Sequence, residues 1–544
     1  MTTSSDVLHT HEGKVFAAID IGTNSIRLGV VRLEQGKSTT LGVHREVVRL
    51  GEGEFDTNRM TDAAIKRGAL VCSKFADVAR GFGADEIVAL ATSAVREAEN
   101  RDDFIERVRL DAGLDVSVIS GVEEARLIWL GVSSGIDLGE KKASLIDIGG
   151  GSTEVIVGNA QGHIILDSVK LGAVRLSNKF IRDSGPVSTE RFAEIQGYIK
   201  GVATQPIRRV REQGFDQMMG SAGTITTMAD IIARRLGEPP INSQRTPSFK
   251  IADLRETTQY LCRLNLEERR KVPGMDPGRA EIIIAGSAIL LTLMEEFGAD
   301  RLVVSDRGLR DGILEDHLLR ERNTKGDAHR LSVRKRSILQ LARSCNYEAE
   351  HAAHTSFLSL KMFDILQTLN CHALGQIDRE LLDFAATVHD IGMFLSHSNH
   401  QKHAYYLIRN SDLLGFTDTE IDVVANVALY HRKGIPKKRH ANLADLDRED
   451  RRRVSVLAAI LRVAEGLDRS HLGLVRDVDI TRETKPARFV LTLKSEVDCQ
   501  LEIWGVQNSC DLFEYVFGAP LSVVVSEIDS PHTKDKAVTT ESAS

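Results

Sequence analysis

The chain has 544 residues, of which 42% are hydrophobic and 27% are charged, and its 70 basic and 77 acidic side chains give a formal net charge of -7. A chain of this length exceeds one hydrophobic core, so we expect several domains. The charge argues against a protein built mainly to coat nucleic acid. The longest apolar run, residues 282–294, is shorter than the roughly 20 residues of a membrane span, and it predicts a buried helix.

The six cysteines lie far apart in the sequence, without a C-x-x-C pair. This pattern indicates free thiols in a reducing compartment rather than disulfides or zinc ligands. The polar residues before the first strand-like run lack the apolar core of a signal peptide. We therefore expect a cytoplasmic location.

In chain order, residues 1–14 are polar and aperiodic, as are residues 529–544, and both are predicted to be disordered tails. From residue 15 to about 315, strand-like runs alternate with helical ones, which predicts an α/β fold. The strand-like runs are VFAAID, EIVALAT, VSVIS, SLIDIG, TEVIVG, DQMMGSAG and RLVVSD.

The second half of the chain has a different pattern. The polar and basic residues 320–336 predict a linker, and residues 337–471 have mainly helical periodicity. Strand character resumes in DVDITR, RFVLTLK, CQLEIW and LSVVVSE, and DLFEYVFG between the last two reads as a helix. We therefore predict an α/β zone, a helical zone and a small α+β cap.

Two glycine turns repeat in one register, IDIGTNSIRL around Asp20 and LIDIGGGSTE around Asp147. Each passes from one strand directly into another, so neither matches a Walker loop or a dinucleotide fingerprint, which lead into a helix. One interpretation is a tight hairpin with a capped aspartate. The other is a phosphate-binding turn, because glycines admit positive φ and successive N–H groups form an anion nest. The repeat favours the second.

These turns, together with GSAGT, resemble the phosphate-binding turns of the superfamily of actin, sugar kinases and heat-shock ATPases. Over residues 15–525 the chain resembles the exopolyphosphatase and guanosine pentaphosphate phosphohydrolase (Ppx/GppA) family, through ATSAVREAEN, ISGVEEARLIWLGV, LIDIGGGSTE, MGSAGT, VSDRGLRDGIL, HDIGMF, QKHAYYLI and YHRKGIPKK. The resemblance implies two actin-like (ribonuclease H-like) α/β lobes at 15–135 and 136–318. It also implies an all-α HD-like domain at 328–475 and a small α+β cap at 476–528.

The run ISGVEEARLIWL carries the expected base. Ser120 and Glu123 form the S-x-x-E pattern of a helix capping box, whereas Glu124, rotated by about 100° around the helix, has no local role. From the residues alone, Glu124 could simply be a solvated acid at a helix N-terminus. The family resemblance implies instead that Glu124 is the general base on the attacking water.

The resemblance also implies the phosphate and metal ligands. Arg96 would supply a cation to phosphate, since an arginine fork suits phosphate oxygens; the alternative is a solvated helix face. Asp20, Asp147 and Glu154 would hold Mg²⁺, which prefers oxygen ligands. The predicted phosphate-binding residues are Gly22, Thr23, Asn24, Ser25, Thr92, Ser93, Gly149, Gly150, Gly151, Ser152, Ser221, Gly223 and Thr224.

The pattern of histidines and acids in the helical zone resembles that of the HD phosphohydrolase superfamily. This resemblance implies a second site for a divalent metal. The candidate ligands are His351, His389, Asp390, His403, His431, Glu465 and Asp468. The distal Ala-Asp of that superfamily is Ala464-Glu465 here, so Asp468, one turn later, is a candidate replacement. The alternative is a helical domain whose histidines are satisfied by hydrogen bonds.

The predicted activity is Mg²⁺-dependent hydrolysis of the terminal phosphoanhydride of inorganic polyphosphate with release of orthophosphate, that is, an exopolyphosphatase. Two alternatives stay open: a guanosine pentaphosphate (pppGpp) phosphohydrolase, and a regulator that binds polyphosphate or an alarmone without turnover. The resemblance implies a homodimer, and we expect neither a nucleic-acid partner nor a membrane span.

Overall fold

The computed structural model describes residues 13–34, 37–136, 138–237, 247–324, 333–444 and 446–527. The chain divides into two compact units, Met1–Arg330 and Leu331–Ser544. The predicted tails, 1–14 and 529–544, lie outside the described residues except for Gly13 and Lys14, and Lys14 already belongs to the first strand. The predicted linker, 320–336, is wrong at both ends, which belong to the helices Leu309–Thr324 and Val333–Ser344, and its residues 325–332 lie outside the described residues.

The first lobe of the first unit is built on a five-stranded sheet. Its strands are β1 (Lys14–Ile21), β2 (Ser25–Glu34), β3 (Lys37–Val47), β4 (Glu86–Ala91) and β5 (Val116–Val118). Its helices are α1 (Glu54–Thr57), α2 (Asp62–Gly81), α3 (Ser93–Glu97), α4 (Arg101–Ala112) and α5 (Gly121–Ser133). The strand order is β3-β2-β1-β4-β5, with β1 antiparallel to β2 and parallel to β4. The apolar β1 is therefore central and almost wholly buried.

The second lobe repeats this topology. Its strands are β6 (Ala143–Ile148), β7 (Thr153–Asn159), β8 (Gly162–Val169), β9 (Gln217–Ser221), β10 (Ser248–Lys250) and β11 (Arg301–Val304). Their order is β8-β7-β6-β9-β11-β10, and β6 is antiparallel to β7 and parallel to β9. The repeat seen in two short glycine motifs thus extends to the strand order around them.

Eight further helices follow in the first unit within the residues that the structure describes, and the last of them packs against α5, β1 and β2. They are α6 (Ala173–Phe180), α7 (Thr189–Val202), α8 (Thr204–Gln213), α9 (Ala222–Arg235), α10 (Ile251–Arg263), α11 (Leu266–Arg270), α12 (Ile283–Phe297) and α13 (Leu309–Thr324), besides a short 3₁₀ turn at Pro277–Arg279. The long apolar run is the buried helix α12, as predicted. All seven predicted strands of this unit are present; β3, β8 and β10, which are polar or short, were missed.

The second unit begins with six helices, α14 (Val333–Ser344), α15 (Ala349–Thr368), α16 (Gln376–Val388), α17 (His400–Arg409), α18 (Asp418–Tyr430) and α19 (Arg448–Gly466), with 3₁₀ turns at Ile391–Phe394 and Ala441–Leu443. It ends in β12 (Asp477–Thr484), β13 (Ala487–Ser495), α20 (Gln500–Gln507), α21 (Asp511–Phe517) and β14 (Leu521–Glu527). The sheet order is β12-β13-β14. The six helices and the C-terminal cap share one apolar core.

One prediction in the cap is wrong: CQLEIW is not a strand but the start of α20. A short apolar run does not distinguish a strand from a helix by periodicity. Packing decides here, because a Cβ on Gly505 of α20 would lie 2.5 Å from the carbonyl oxygen of Gly466 at the end of α19. Two glycines let these helices approach closely.

All six cysteines are free thiols, and Cys72, Cys262, Cys345 and Cys499 are buried. Among the described residues, no helix combines the length and the apolar character that crossing a membrane requires.

Candidate active site

The two glycine turns face each other within the first unit. A Cβ on Gly150 would lie 2.8 Å from Cβ of Thr23, and a Cβ on Gly151 would lie 2.4 Å from Oγ of Ser93. We expected these glycines to supply positive φ, and this reason is wrong, since Gly149, Gly150 and Gly151 all have negative or extended φ. Their lack of a side chain instead lets the turn of the second lobe contact the first lobe.

A cavity lies between these turns. Its wall includes all the predicted phosphate-binding residues of the two hairpin turns, together with Thr92, Ser93 and Gly223. The other two predicted residues have supporting roles: Ser221 donates a hydrogen bond to Asp147 Oδ2 at 2.5 Å, and the buried Thr224 packs against Gly286 of α12. Ser221, at the end of β9, thus positions the carboxylate of Asp147.

Carboxylates are concentrated around this cavity. Asp20, Glu124 and Asp147 lie in its wall, and Glu154 is fully buried opposite Asp147 in the β6–β7 register. Glu154 Oε1 accepts a hydrogen bond from Ser168 at 2.8 Å, whereas Oε2 has no hydrogen-bond partner among the described residues. So many acids in one place require a compensating cation or protons.

The pKa values of these carboxyls reflect that crowding. Burial raises the pKa of Asp20 to about 6, with a further contribution from Asp147. Burial also raises the pKa of Asp147. The pKa of Glu154 rises well above its ordinary value because of burial and the negative charges of Glu124 and Asp147. A divalent cation bound among them would relieve this repulsion.

Glu124 extends from the first turn of α5 and pairs with Arg96. Arg96 Nη1 donates to Glu124 Oε2 at 3.0 Å and to the carbonyl oxygen of Ile119 at 2.9 Å. Burial raises the pKa of Glu124 to about 7, although Arg96 lowers it; Asp20 and Asp147 add to the rise. The carboxyl is thus poised to change protonation near neutral pH.

The neighbouring acid Glu123 has a different environment. Its amide donates to Ser120 Oγ at 3.1 Å, which is one of the two hydrogen bonds of the predicted capping box. Its carboxylate makes two hydrogen bonds with Arg126, at 2.7 and 2.8 Å, and Arg126 also lies 2.9 Å from Asp316. This buried network joins α5 to α13 and is structural.

Two arginines in the cavity wall were missed by the sequence analysis, Arg27 and Arg279. Arg27 is opposite Asp20 in the β1–β2 register, and this pairing could have been read from the predicted hairpin. Arg279 packs directly over Gly223, where a Cβ would lie 2.1 Å from Cζ. Burial lowers the pKa of Arg279 to about 9, with added repulsion from Arg45 and Arg27. No motif marked it.

A second cavity adjoins the first and shares Arg27, Ala222, Gly223 and Arg279 in its wall. It adds three arginines, Arg45, Arg307 and Arg310, and three aspartates, Asp276, Asp306 and Asp311. Arg45 pairs with Asp276 at 2.9 Å and Arg310 with Asp311 at 3.0 Å. With the two shared arginines, cations outnumber acids along this wall.

The model of the Ppx/GppA phosphatase family matches residues 29–321, and that of its domain III matches residues 333–508. The chain belongs to the Ppx/GppA phosphatase family. An exopolyphosphatase from Cytophaga hutchinsonii is 25% identical, with 56% of this chain and 98% of that chain covered and a TM-score of 0.53. An exopolyphosphatase-like protein is 28% identical, with 57% and 100% covered and a TM-score of 0.53.

The Aquifex aeolicus member of the Ppx/GppA family is 29% identical, with 57% of this chain and 99% of that chain covered and a TM-score of 0.49. The two family models confirm the predicted family, and together with the two structures at a TM-score of 0.53 they confirm the fold of two actin-like α/β lobes followed by a helical region. The HD-like description of the helical domain stays a prediction.

In the second unit of this Ppx/GppA protein, four of the predicted ligands come together: His351, His389, Asp390 and His431. His400 joins them, although we predicted His403 as the ligand from the run HSNHQKHAY. His403 is half-buried one turn later in α17 and has no place in the group. Spacing alone does not tell which histidine of this run faces inward.

The remaining two predicted ligands bind other side chains. Glu465 Oε1 pairs with Arg469 at 3.1 Å. Asp468 Oδ2 lies 2.8 Å from His351 Nδ1, and Asp468 Oδ1 lies 3.2 Å from His354 Nδ1. Burial alone would lower the pKa of His351, but its hydrogen bond to Asp468 raises it. Asp468 therefore positions a predicted ligand instead of pointing into the group.

Proposed function

We propose that this Ppx/GppA protein hydrolyses the terminal phosphoanhydride bond of inorganic polyphosphate and releases orthophosphate. The observation that carries the proposal is the position of Glu124, a buried carboxylate in the wall of a cavity that two glycine turns also line. A base and a phosphate cradle in one cavity are the parts that phosphoanhydride hydrolysis needs. The similar protein of Cytophaga hutchinsonii is an exopolyphosphatase, which supports the choice of substrate.

In this proposal the terminal phosphate binds to the backbone N–H groups of the turns at 22–25 and 149–152, which form anion nests. Glu124 accepts the proton of the attacking water, and its pKa of about 7 suits a general base at neutral pH. Arg96 orients the Glu124 carboxylate. Arg27 and Arg279, which lie in the cavity wall, take up negative charge on the transferring phosphoryl group.

The residues at this site also fit the Mg²⁺ ion that the resemblance implies. Asp20 and Asp147 present carboxylates whose pKa values are raised by burial, and Glu154 has a carboxylate oxygen without a hydrogen-bond partner. An oxygen-only ligand set is what Mg²⁺ prefers. When bound, Mg²⁺ supplies positive charge that polarises phosphate oxygens.

The second cavity supports a substrate longer than one phosphate. Beyond Arg27 and Arg279 its wall continues with Arg45, Arg307 and Arg310, which suit further phosphate groups of a chain. The same wall would accept the phosphates of pppGpp, which keeps that alternative open.

The test is phosphate release from long-chain polyphosphate, pppGpp and ATP, each with Mg²⁺ and with excess chelator. We expect the highest kcat/KM with polyphosphate and loss of activity with chelator. A kcat/KM higher for pppGpp would favour the alarmone phosphohydrolase. Binding of polyphosphate without release from any substrate would favour the regulator.

A further inference from the structure

A short segment after β3 is hydrogen-bonded to the first glycine turn. The amides of Val48 and Arg49 both donate to the carbonyl oxygen of Asn24 at 3.0 Å, and the amide of Gly51 donates to that of Thr23 at 3.1 Å. These bonds hold two consecutive carbonyl groups of the turn. The conformation of the turn therefore depends on the conformation of this segment.

The backbone of this segment is strained at Arg49, which has a φ of 51°. A residue with a Cβ adopts this left-handed conformation at a cost. The neighbours hold it there, because Val48 and Leu50 are buried in the core of the first lobe and Arg67 Nε donates to the carbonyl oxygen of Val48 at 3.1 Å. Strain of this kind persists where the surrounding structure enforces it, and it is concentrated at functional sites.

The side chain of Arg49 reaches the second lobe. Arg49 Nη1 lies 3.2 Å from Glu281 Oε2, and the other oxygen of that carboxylate accepts a hydrogen bond from Arg270 Nη2 at 3.0 Å. Glu281 follows by two residues Arg279, which lies in the wall of the cavity. Arg49 thus contacts the glycine turn of one lobe with its backbone and the Arg279 segment of the other lobe with its side chain.

A second ion pair holds the other end of the Arg279 segment. Arg45 Nη1 lies 2.9 Å from Oδ2 of Asp276, which caps the 3₁₀ turn that contains Arg279. Arg45 also lies in the wall of the second cavity, whereas Arg49 lines neither of the two cavities described above. Any effect of Arg49 on the substrate is therefore indirect.

Stability does not explain an arginine at position 49. The side chains of Arg49 and Glu281 are 41% and 38% exposed, and ion pairs this exposed contribute little to the free energy of unfolding. A glycine would adopt the same φ without strain. The chain therefore has a strained residue where an unstrained one would fit, and what the arginine adds is the contact between the lobes.

We propose that Arg49 is a positioning residue for the phosphate site, an inference that rests on the proposed function. Its amide holds the turn at 22–25, and its guanidinium, through Glu281, holds the segment of Arg279. One residue thereby sets the spacing between the phosphate-binding groups of the two lobes. It acts through these groups and does not bind phosphate itself.

The test measures the Kd of inorganic tripolyphosphate with Mg²⁺ by calorimetry, in full-length protein that carries Glu124→Gln to prevent turnover. We expect Arg49→Gln and Glu281→Gln each to raise the Kd about 10-fold, a usual scale for residues that act together, and the double variant to bind no more weakly than either alone. Arg49→Lys, which keeps the charge, should restore most of the affinity. Arg59→Gln is the matched control, because Arg59 pairs with Glu99 on the surface of the first lobe at 3.8 Å, and it should leave the Kd unchanged.

Arg49→Gly separates positioning from stability. Glycine relieves the strain at positive φ, so this variant should have a higher Tm than Arg49→Gln and yet bind tripolyphosphate as weakly. The proposal is overturned if Arg49→Gln binds as its parent does, if the effects of Arg49→Gln and Glu281→Gln multiply in the double variant, or if the parent does not bind tripolyphosphate.

The outcomes for this proposal and for the proposed function differ. Binding that depends on Arg49, together with no phosphate release by the protein that retains Glu124, would contradict the proposed function alone. Phosphate release by Arg49→Gln with the KM of the wild type would contradict the role of Arg49 alone.

Discussion

Arg96 Nη1 lies 3.0 Å from Glu124 Oε2, and both side chains are largely shielded from solvent. From the sequence, we predicted separate tasks for them, a cation for phosphate and a base for water. The structure joins them, since the guanidinium lowers the pKa of a carboxyl that burial raises to about 7. In the proposed reaction, Arg96 therefore acts through Glu124.

This relationship predicts a pH dependence. If Glu124 must be ionised to act as the base, kcat/KM should rise about tenfold per pH unit below the pKa of Glu124 and level off above it. Bound Mg²⁺ should move this rising limb below the pKa of about 7 that Glu124 has without the ion. Because Arg96 lowers the pKa of Glu124, Arg96→Gln should move this rising limb to higher pH. Initial rates of phosphate release across pH 5–9 measure it. If the pH profile of kcat/KM rises at the same pH in Arg96→Gln as in the wild type, Arg96 does not influence the titration of Glu124.

Asp147→Asn should abolish turnover and leave the fold intact. Asparagine keeps the shape of the side chain and can still accept the hydrogen bond from Ser221, and it removes one charge from a crowded group of carboxylates. We expect kcat to fall at least ~100-fold, the usual scale for losing one group that stabilises transition-state charge. Thermal unfolding should show an equal or higher Tm. A sharply lower Tm would make the residue structural.

Gly150→Ala tests the approach of the two turns. The added Cβ would lie 2.8 Å from Cβ of Thr23, so the turns must separate, and a displacement of about 1 Å at a catalytic site can cost ~100-fold in rate. Gly197→Ala is the matched control. Gly197 is exposed in α7 with open space around it, and alanine there should stabilise the protein by about 1 kcal/mol without changing kcat.

Glu123→Ala should lower the stability of the protein, whereas a substitution of Glu124 should lower its activity. It leaves Arg126 without one of its two buried carboxylate partners, and breaking a buried pair in this way costs about 3–5 kcal/mol. Urea unfolding measures the loss. Glu106→Ala, which removes an exposed pair with Arg109, should cost no more than about 1 kcal/mol. Folded Glu123→Ala protein should keep its kcat.

The repeated glycine turns made the two hairpins of the first unit predictable, and the family resemblance implied the two lobes around them. Each turn follows an apolar strand and precedes an alternating one, and that pattern specifies a hairpin whatever the rest of the chain does. The polar strand β3 and the run CQLEIW were not predictable in this way. Their conformation depends on neighbours in space, a sheet edge for β3 and the close contact between Gly466 and Gly505 for α20.

Within the site, the sequence identified groups that belong to motifs and missed those that do not. Asp20, Glu124 and Asp147 sit in recognisable runs and lie in the cavity wall. Arg279 reaches the same wall from a short 3₁₀ turn without a pattern. His400 and His403 are one turn apart on one helix, so only the packing of α17 decides between them.

The role of Glu124 as the base is tested most directly by phosphate release from long-chain polyphosphate with Mg²⁺, measured for the wild type, Glu124→Gln and the exposed control Glu106→Gln. Glutamine keeps the size of the side chain and cannot accept the proton, so kcat should fall about 100- to 10,000-fold. Glu106→Gln should match the wild type, and all three proteins should unfold at similar temperatures. A folded Glu124→Gln variant with the kcat of the wild type would contradict the account.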